Sequence, residues 1–228
     1  MVILELLIDI ELKKVYENSE RPARFFYALY ILDALHIHFK PLHLLTKISA
    51  GPVQYHAGLN AFQHSMNAFN YAKAQGYSFD VALAALFHDT GKGISKKAED
   101  WNNQHHYKHE LYSYIINKQF VKQHKFTAKQ NELIVKFGRH HMYFHILETI
   151  RNPIKLIRFY KNIKKYRVEM EQAAQCDDRL TEGQLKILSN LDYTFKHTKI
   201  LVPKGLNNEA VVSFVENEYV KTYKERIK

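Results

Sequence analysis

Fourteen histidines stand among the 228 residues, and several fall next to carboxylates. The strongest local signal is Leu86-Phe87-His88-Asp89-Thr90-Gly91-Lys92-Gly93, an apolar run ending in adjacent His and Asp, followed by a glycine turn that carries a lysine. Neighbouring helical residues point about 100° apart, so the pair can share one ion only at a helix end that faces a cavity. The turn at Gly91 supplies such an end. Imidazole nitrogen with carboxylate oxygen suits a borderline or hard divalent ion and leaves coordination positions for water. Three features add to the pair: His64 within Gln63-His64-Ser65, the run His105-His106-Tyr107-Lys108-His109-Glu110 with His140-His141 further on, and Asp177-Asp178-Arg179. Taken singly, each has an ordinary explanation. His64 reads as a half-buried, satisfied histidine, the 105–109 histidines as an exposed polar face, and Asp177-Asp178 as a solvated helix end, although acids there oppose the helix dipole. Their joint order, His, His-Asp, His, His-His, Asp, is what points to a metal site.

The elements that must position these residues are helical throughout. Residues 2–16 and the stretch from Pro22 through Phe25, Phe26, Leu29 and Leu32 carry apolar side chains at helical steps, and Pro41 opens a short third helix. Gly51-Pro52 to Gly58 breaks the pattern. A helix then runs from Asn60 to Ala74, and another, capped by Asp80, reaches His88. A polar loop, Lys96 to Gln104 with the sole Trp101, leads to a helix over about His105–Lys122. Thr127 with Gln130 forms a capping box for a helix ending near Gly138. Asn152-Pro153 starts a helix to about Tyr166. Val168–Asp178, Glu182–Leu191 and Asn208–Lys228 follow. No segment alternates with period two, so the class is all-α, organised as a helical segment over 1–50, a main bundle over 51–200 and a C-terminal helix over 201–228.

Composition sets outer limits. Apolar content of 46% supports a core and excludes intrinsic disorder. The single cysteine, Cys176, excludes an internal disulfide and a multi-cysteine zinc site. A net charge of +10 favours anionic partners. No apolar run approaches a membrane span, and the N-terminus, with Glu5, Asp9 and Glu11, is unlike a signal peptide, so a cytoplasmic protein is expected. The basic stretch Lys155 to Arg167, with Arg158, Lys161, Lys164 and Lys165, interleaves charge with Phe159, Tyr160 and Tyr166. It suits RNA or nucleotide if the rings are exposed for stacking; the alternative is a solvated lysine face over aromatics turned into the core.

The ordered motifs resemble the HD-domain phosphohydrolase superfamily, and more closely the neck and C-terminal HD portion of bacterial CCA-adding tRNA nucleotidyltransferases. Phe87-His88-Asp89-Thr90-Gly91-Lys92-Gly93 and Asn103-Gln104-His105-His106-Tyr107-Lys108-His109-Glu110 carry the likeness, and Gln175-Cys176-Asp177-Asp178-Arg179 is similar to that family's Asp-x-Arg segment. Arg24-Phe25-Phe26 through Leu35 to His64 is similar to its neck helices leading into the first histidine. The resemblance implies an HD helical bundle with a neck-like N-terminal appendage, and metal ligands at His64, His88, Asp89 and Asp177, with Asp178 one residue out of register. It implies hydrolysis of 2′,3′-cyclic phosphodiesters, 2′-nucleotides or phosphomonoesters, with nucleotides or RNA ends as substrates and tRNA among the partners. Nothing in these residues matches the family's nucleotidyltransferase head, so CCA addition is not expected from this chain. Two departures bear on the pocket: Lys108 stands where the family has Gly, and Leu180 follows Arg179 where it has Gly.

The roles then expected are these. A divalent ion (Ni, Mn, Co, Mg, Fe or Zn) lowers the pKa of bound water and draws charge off a phosphoryl oxygen. Asp89 ligates and takes a proton from the attacking water, and Lys92 meets a phosphate oxygen, with Lys108 and Arg179 as further candidates. His109 with His140 or His141 completes a second metal site or serves as general acid. Rival readings are a 5′-nucleotidase or (p)ppGpp-type hydrolase sharing only the metal site, and a non-catalytic RNA-binding remnant, which the full ligand set disfavours.

Overall fold

A computed structural model describes residues 2–95, 105–203 and 205–227. The loop Lys96–Gln104, with Trp101, lies outside the described residues. Among those residues every regular element is helical, and an isolated antiparallel bridge joins Ser49 to Asn60. No described helix is long and apolar enough to cross a membrane. The chain divides into two compact units: unit 1 is residues 1–142 with 168–179, and unit 2 is residues 143–167 with 180–228.

Unit 1 contains α1 (Val2–Asn18), α2 (Arg24–Ile31), α3 (Leu35–His38), α4 (Lys40–Leu45), α5 (Val53–His56), α6 (Ala61–Ala74), α7 (Phe79–Leu86) and α8 (His109–Phe120). Most of α9 (Ala128–Ile146) belongs to it. The chain leaves through α10 (Pro153–Ile163) and returns with α11 (Arg167–Asp177). α7 is apolar on nearly every side and buried throughout apart from Asp80, as a core helix must be. Phe26, Phe39 and Phe69 meet edge to face beside it, at 5.1 and 5.6 Å. Buried Asp9 ties α1 to the α8–α9 connection, accepting from His124 Nδ1 (2.8 Å) and the Lys125 amide (2.6 Å).

Helix boundaries follow local chemistry, with three corrections to the sequence reading. Ser78, not Asp80, caps α7; its hydroxyl accepts from the Val81 amide, while Asp80 accepts from Gln130. α8 begins at His109 rather than His105, because Lys108 adopts a left-handed conformation (φ 57°) that cannot continue a helix. α9 runs on to Ile146 past Gly138, whose missing side chain serves packing rather than termination: a Cβ there would lie 2.7 Å from Asn117 Nδ2. The Thr127–Gln130 and Asn60–Gln63 pairs form reciprocal capping bonds at the starts of α9 and α6.

Unit 2 holds α10, α12 (Glu182–His197) and α13 (Asn208–Ile227), with α12 longer than the expected Glu182–Leu191. Asn152 caps α10 with Pro153 in its first turn. α10 buries Phe159 against Tyr143 (stacked, 5.0 Å) and Phe144, and Tyr160 against Phe195. Phe159, Tyr160 and Tyr166 are therefore core residues, as in the reading of a solvated lysine face over aromatics turned inward, and not stacking faces for bases.

Candidate metal centre

Four segments of unit 1 converge with the end of α11 on one cluster. α6, started by the Asn60–Gln63 box, presents His64 one turn in. α7 stops at Leu86, and His88 and Asp89 occupy the two positions before a 3-10 turn, Thr90–Gly93. That turn sits so close to α8 that a Cβ on Gly91 would lie 2.0 Å from the His109 carbonyl oxygen. His109 opens α8, His141 lies on α9, and Asp177 ends α11.

Three of these imidazoles share one orientation device. His88 Nδ1 donates to the Ala85 carbonyl (2.6 Å), His109 Nδ1 to that of His106 (2.8 Å) and His141 Nδ1 to that of Gly138 (3.1 Å), each three residues back. A carbonyl can only accept, so Nδ1 carries a proton in each ring and each Nε2 faces inward, the orientation a metal-ligating histidine requires. His64 Nε2 lies 2.8 Å from Asp177 Oδ1, and His88 Nε2 lies 3.2 Å from the same oxygen. On the other side His109 and His141 Nε2 are 3.0 Å apart, and 3.2 and 3.5 Å from Asp89 Oδ1. Asp89 faces both groups: its Oδ2 lies 3.1 Å from His88 Nε2 and 3.7 Å from His64 Nε2. Two potential ligand sets result, His64–His88–Asp177 and Asp89–His109–His141, each with its donor atoms within 4.8 Å of one another.

The donor set tests whether a cation fits. His88 Nε2 is buried without a hydrogen bond of good geometry, although Asp89 Oδ2 (3.1 Å) and Asp177 Oδ1 (3.2 Å) lie close, and Asp89 Oδ2 has the Lys92 ammonium at 2.6 Å as its ion-pair partner. His109 and His141 Nε2, 3.0 Å apart, are held together by a proton or a cation between them. Burying this many ring nitrogens and carboxylates with one ammonium among them is costly. A divalent cation offsets that cost, and mixed imidazole and carboxylate ligands suit a borderline metal such as Zn, Ni, Fe, Co or Mn.

The electrostatics carry the same imprint. Burial opposes charge on His88, yet Asp177 and Asp89 outweigh it and push its pKa up to about 10 in the metal-free protein. Burial also works against the Asp89 carboxylate, but His88 and Lys92, with the His109 and His141 rings against its other oxygen, hold it well below the usual carboxylate range. Burial, with His109 and His88 nearby, brings His141 down to about 3 despite its Asp89 contact, so the ring is neutral at neutral pH.

The cluster gathers His64, His88, Asp89, His109, His141 and Asp177. Asp178 and Arg179 are exposed beyond the end of α11. His140, a half-buried neighbour of His141, has its pKa brought to about 4 by burial and by Arg139 and Lys136. Lys92 is buried, its ammonium 2.6 Å from Asp89 Oδ2 and donating to the Ala50 carbonyl (2.6 Å). Lys108 is exposed before α8, and in unit 2 Lys161, Lys164 and Lys165 are exposed while Arg158 forms a two-pronged pair with Glu216 (2.8 Å each). The sequence reading gave no role to three supports. Ser113 accepts from the Gly91 amide, Asn117 bonds to Thr90, and His106 links Ser95 to the Ser49 carbonyl. Their signal was present: His109, Ser113 and Asn117 recur every four residues on one face of α8.

The HD domain family matches residues 61–182, more than half of the chain and every member of the cluster. The chain belongs to the HD domain family. That family is a superfamily of metal-dependent phosphohydrolases. Among curated proteins the chain is similar to the multifunctional CCA proteins of Nitrosospira multiformis (29% identity over 70% of this chain) and Alcanivorax borkumensis (30% over 66%). That of Nitrosococcus oceani is 23% identical over 94%. The chain covers 38%, 37% and 57% of those relatives' lengths. No solved structure matches it.

Proposed function

We propose that this HD protein is a metal-dependent phosphohydrolase acting on phosphoesters of nucleotides or RNA ends. The carrying observation is the pair of facing ligand sets that meet at Asp89, with six donors gathered in one recess and three imidazoles locked to face inward. A divalent ion held there supplies a water of near-neutral pKa and withdraws charge from a phosphoryl oxygen. The protein's own groups fix everything around that event. Lys92 keeps Asp89 ionised, which makes Asp89 a poor proton acceptor and fits it to join the two ligand sets rather than to act as the base. Lys92, with donors committed to Asp89 and to Ala50, is a second support of that geometry. His64, the more exposed imidazole of its set at 11% of its side chain, stands where the cluster meets solvent.

Likeness to the HD portion of CCA proteins supports RNA ends or nucleotides as the substrate class. Charge distribution supports a polyanion as well: unit 2 has 15 Lys and Arg against 7 Asp and Glu, so +8 of the net +10 lies there.

The test is metal analysis of the purified chain, then turnover of 2′,3′-cyclic AMP, 2′-AMP, 5′-deoxynucleotides and p-nitrophenyl phosphate with Ni, Mn, Co or Mg. Cyclic or 2′-phosphate hydrolysis is the expected result, and preference for 5′-deoxynucleotides would assign the nucleotidase alternative. Asp89→Ala should lose both bound metal and turnover with its helical circular dichroism intact. Absence of turnover on all substrates with every metal refutes the proposal.

A further inference from the structure

Asn117 is fully buried on α8, two turns beyond His109, and the chemistry above leaves it without a role. Its amide is satisfied on three sides. Nδ2 donates to the Phe87 carbonyl (2.9 Å) and to the Ile134 carbonyl (3.3 Å), while Oδ1 accepts from the Thr90 hydroxyl (2.8 Å). Phe87 and Thr90 are the residues on either side of His88-Asp89. Phe87 closes α7, so its carbonyl is one of the helix-end acceptors that require a partner from outside the helix. Ile134 lies on α9, one turn before Gly138, whose own carbonyl holds His141 Nδ1. One side chain therefore touches the backbone of two segments that carry cluster residues, and itself rides on a third.

Gly138 makes this possible. A Cβ there would lie 2.7 Å from Asn117 Nδ2 and 3.3 Å from Ser113 Cβ, so the glycine is the recess that receives the amide. A plain apolar residue at 117 could fill the volume but would remove the shorter of the Phe87 carbonyl's two donors, leaving it the Thr90 hydroxyl at 3.3 Å.

We infer that Asn117, seated in the Gly138 recess, is a positioning residue for the metal centre: it sets the separation between the His88–Asp89 turn, His109 and His141. The inference rests on the reading of the cluster as a metal centre, and it goes beyond it by naming the group that holds three ligand-bearing segments in register. An amide suits the task because the segments offer it two acceptors and one donor, a pattern that neither a carboxylate nor a hydrocarbon matches.

The experiment titrates Mn²⁺ or Co²⁺ into the metal-free full chain by calorimetry, well below its melting temperature. Wild type is compared with Asn117→Ala, Gly138→Ala, the double variant and Thr90→Val. Asn117→Ala and Gly138→Ala should each weaken binding by roughly ten- to a hundredfold, as loss of a group that orients ligands does. The double variant should lose no more than the worse single change, since both remove one device. Thr90→Val, which deletes one hydroxyl and keeps the side-chain shape, should lose roughly three- to tenfold; it decides the matter if Asn117→Ala does not fold. Variants that melt earlier but bind the ion as wild type does would make Asn117 a purely structural residue and overturn the inference. Independent, multiplying losses in the double variant would also overturn it. Wild-type protein that takes up no ion would instead remove the metal-centre reading, and this inference with it.

Discussion

Replacing Gly91 with alanine tests whether the close approach of the α7 turn to α8 builds the centre. The added Cβ would lie 2.0 Å from the His109 carbonyl oxygen, 2.4 Å from the Ser113 amide nitrogen and 2.9 Å from Ser113 Oγ, where ordinary contact starts at 3.4 Å. The two nearest atoms are backbone in the first turns of α8, so no side-chain rotation relieves the clash. The start of α8 must retreat by about 1.4 Å, breaking the Gly91 N–H bond to Ser113 Oγ. Overpacking of this kind costs about 1–3 kcal/mol, and backbone on the far side puts Gly91→Ala at the upper end, about 3 kcal/mol. For a chain of this size that lowers the melting temperature by roughly 6–12 °C. His109 moves with the helix start and leaves Asp89 Oδ1, now 3.2 Å away, so metal affinity should fall roughly ten- to a hundredfold. Scanning calorimetry and metal titration read the two effects. Gly76→Ala is the control: nothing lies within 4 Å of its Cβ, and only its φ of +68° is strained. It should cost about 1 kcal/mol and leave metal affinity alone. A Gly91→Ala protein that melts within about 2 °C of wild type, against the shift expected for a domain this size, and binds metal equally well would show that the packing here is slack and the reasoning wrong.

Acidity should act oppositely on the empty and loaded protein. The pKa of His88 is raised from an ordinary 6.5 to about 10 by Asp177 and Asp89, against burial, so its contribution to stability is complete below pH 6.5 and lost as pH rises towards 10. Metal-free protein should therefore melt progressively lower over that window, while metal affinity should strengthen about tenfold per pH unit as the competing proton departs; parallel melting curves with and without chelator would contradict this. Lys108→Gly should stabilise the fold by about 0.5–1 kcal/mol in a denaturant titration, because a left-handed φ of 57° costs an L-residue more than it costs glycine, and an unchanged midpoint would count against it. Lys161→Ala with Lys164→Ala should leave p-nitrophenyl phosphate turnover unchanged but weaken RNA binding and flatten its salt dependence by about one unit for each phosphate no longer neutralised. Loss of small-substrate turnover would mean that unit 2 serves the chemistry itself.

Much of the cluster was legible because its side chains announce themselves by type and by position at helix ends. His64, His88, Asp89 and Asp177 were readable from an ordered motif, and the helix starts at Asn60, Thr127 and Asn152 from their capping side chains. The failures share one cause: local signals were overridden by distant contacts. Gly138 has the look of a helix stop, but it serves a neighbour from α8. His105 to His109 has helical composition, but Lys108 turns the backbone left-handed before the helix can begin. Phe159 and Tyr160 alternate with lysines in a way that suggests a nucleic-acid face, yet in a helix the same spacing turns the rings inward against Tyr143 and Phe195 and the lysines out. The choice among adjacent pairs, Asp177 over Asp178 and His141 over His140, depends on helix phase, which a sequence alone leaves open by one residue.

Unit 1 closes only when the chain has come back to it. His64 and Asp177, in contact at 2.8 Å, are separated by 113 residues, with the whole 143–167 excursion between. On a ribosome working at about 5–20 residues per second, Asp177 follows His64 by roughly 6–23 s. During that interval the nascent polypeptide already carries His64, His88 and Asp89, then His109 and His141, and lacks only the carboxylate of Asp177. Of the two groups, Asp89–His109–His141 is therefore complete in the chain first, and His64–His88–Asp177 is closed last, by the final residue of α11.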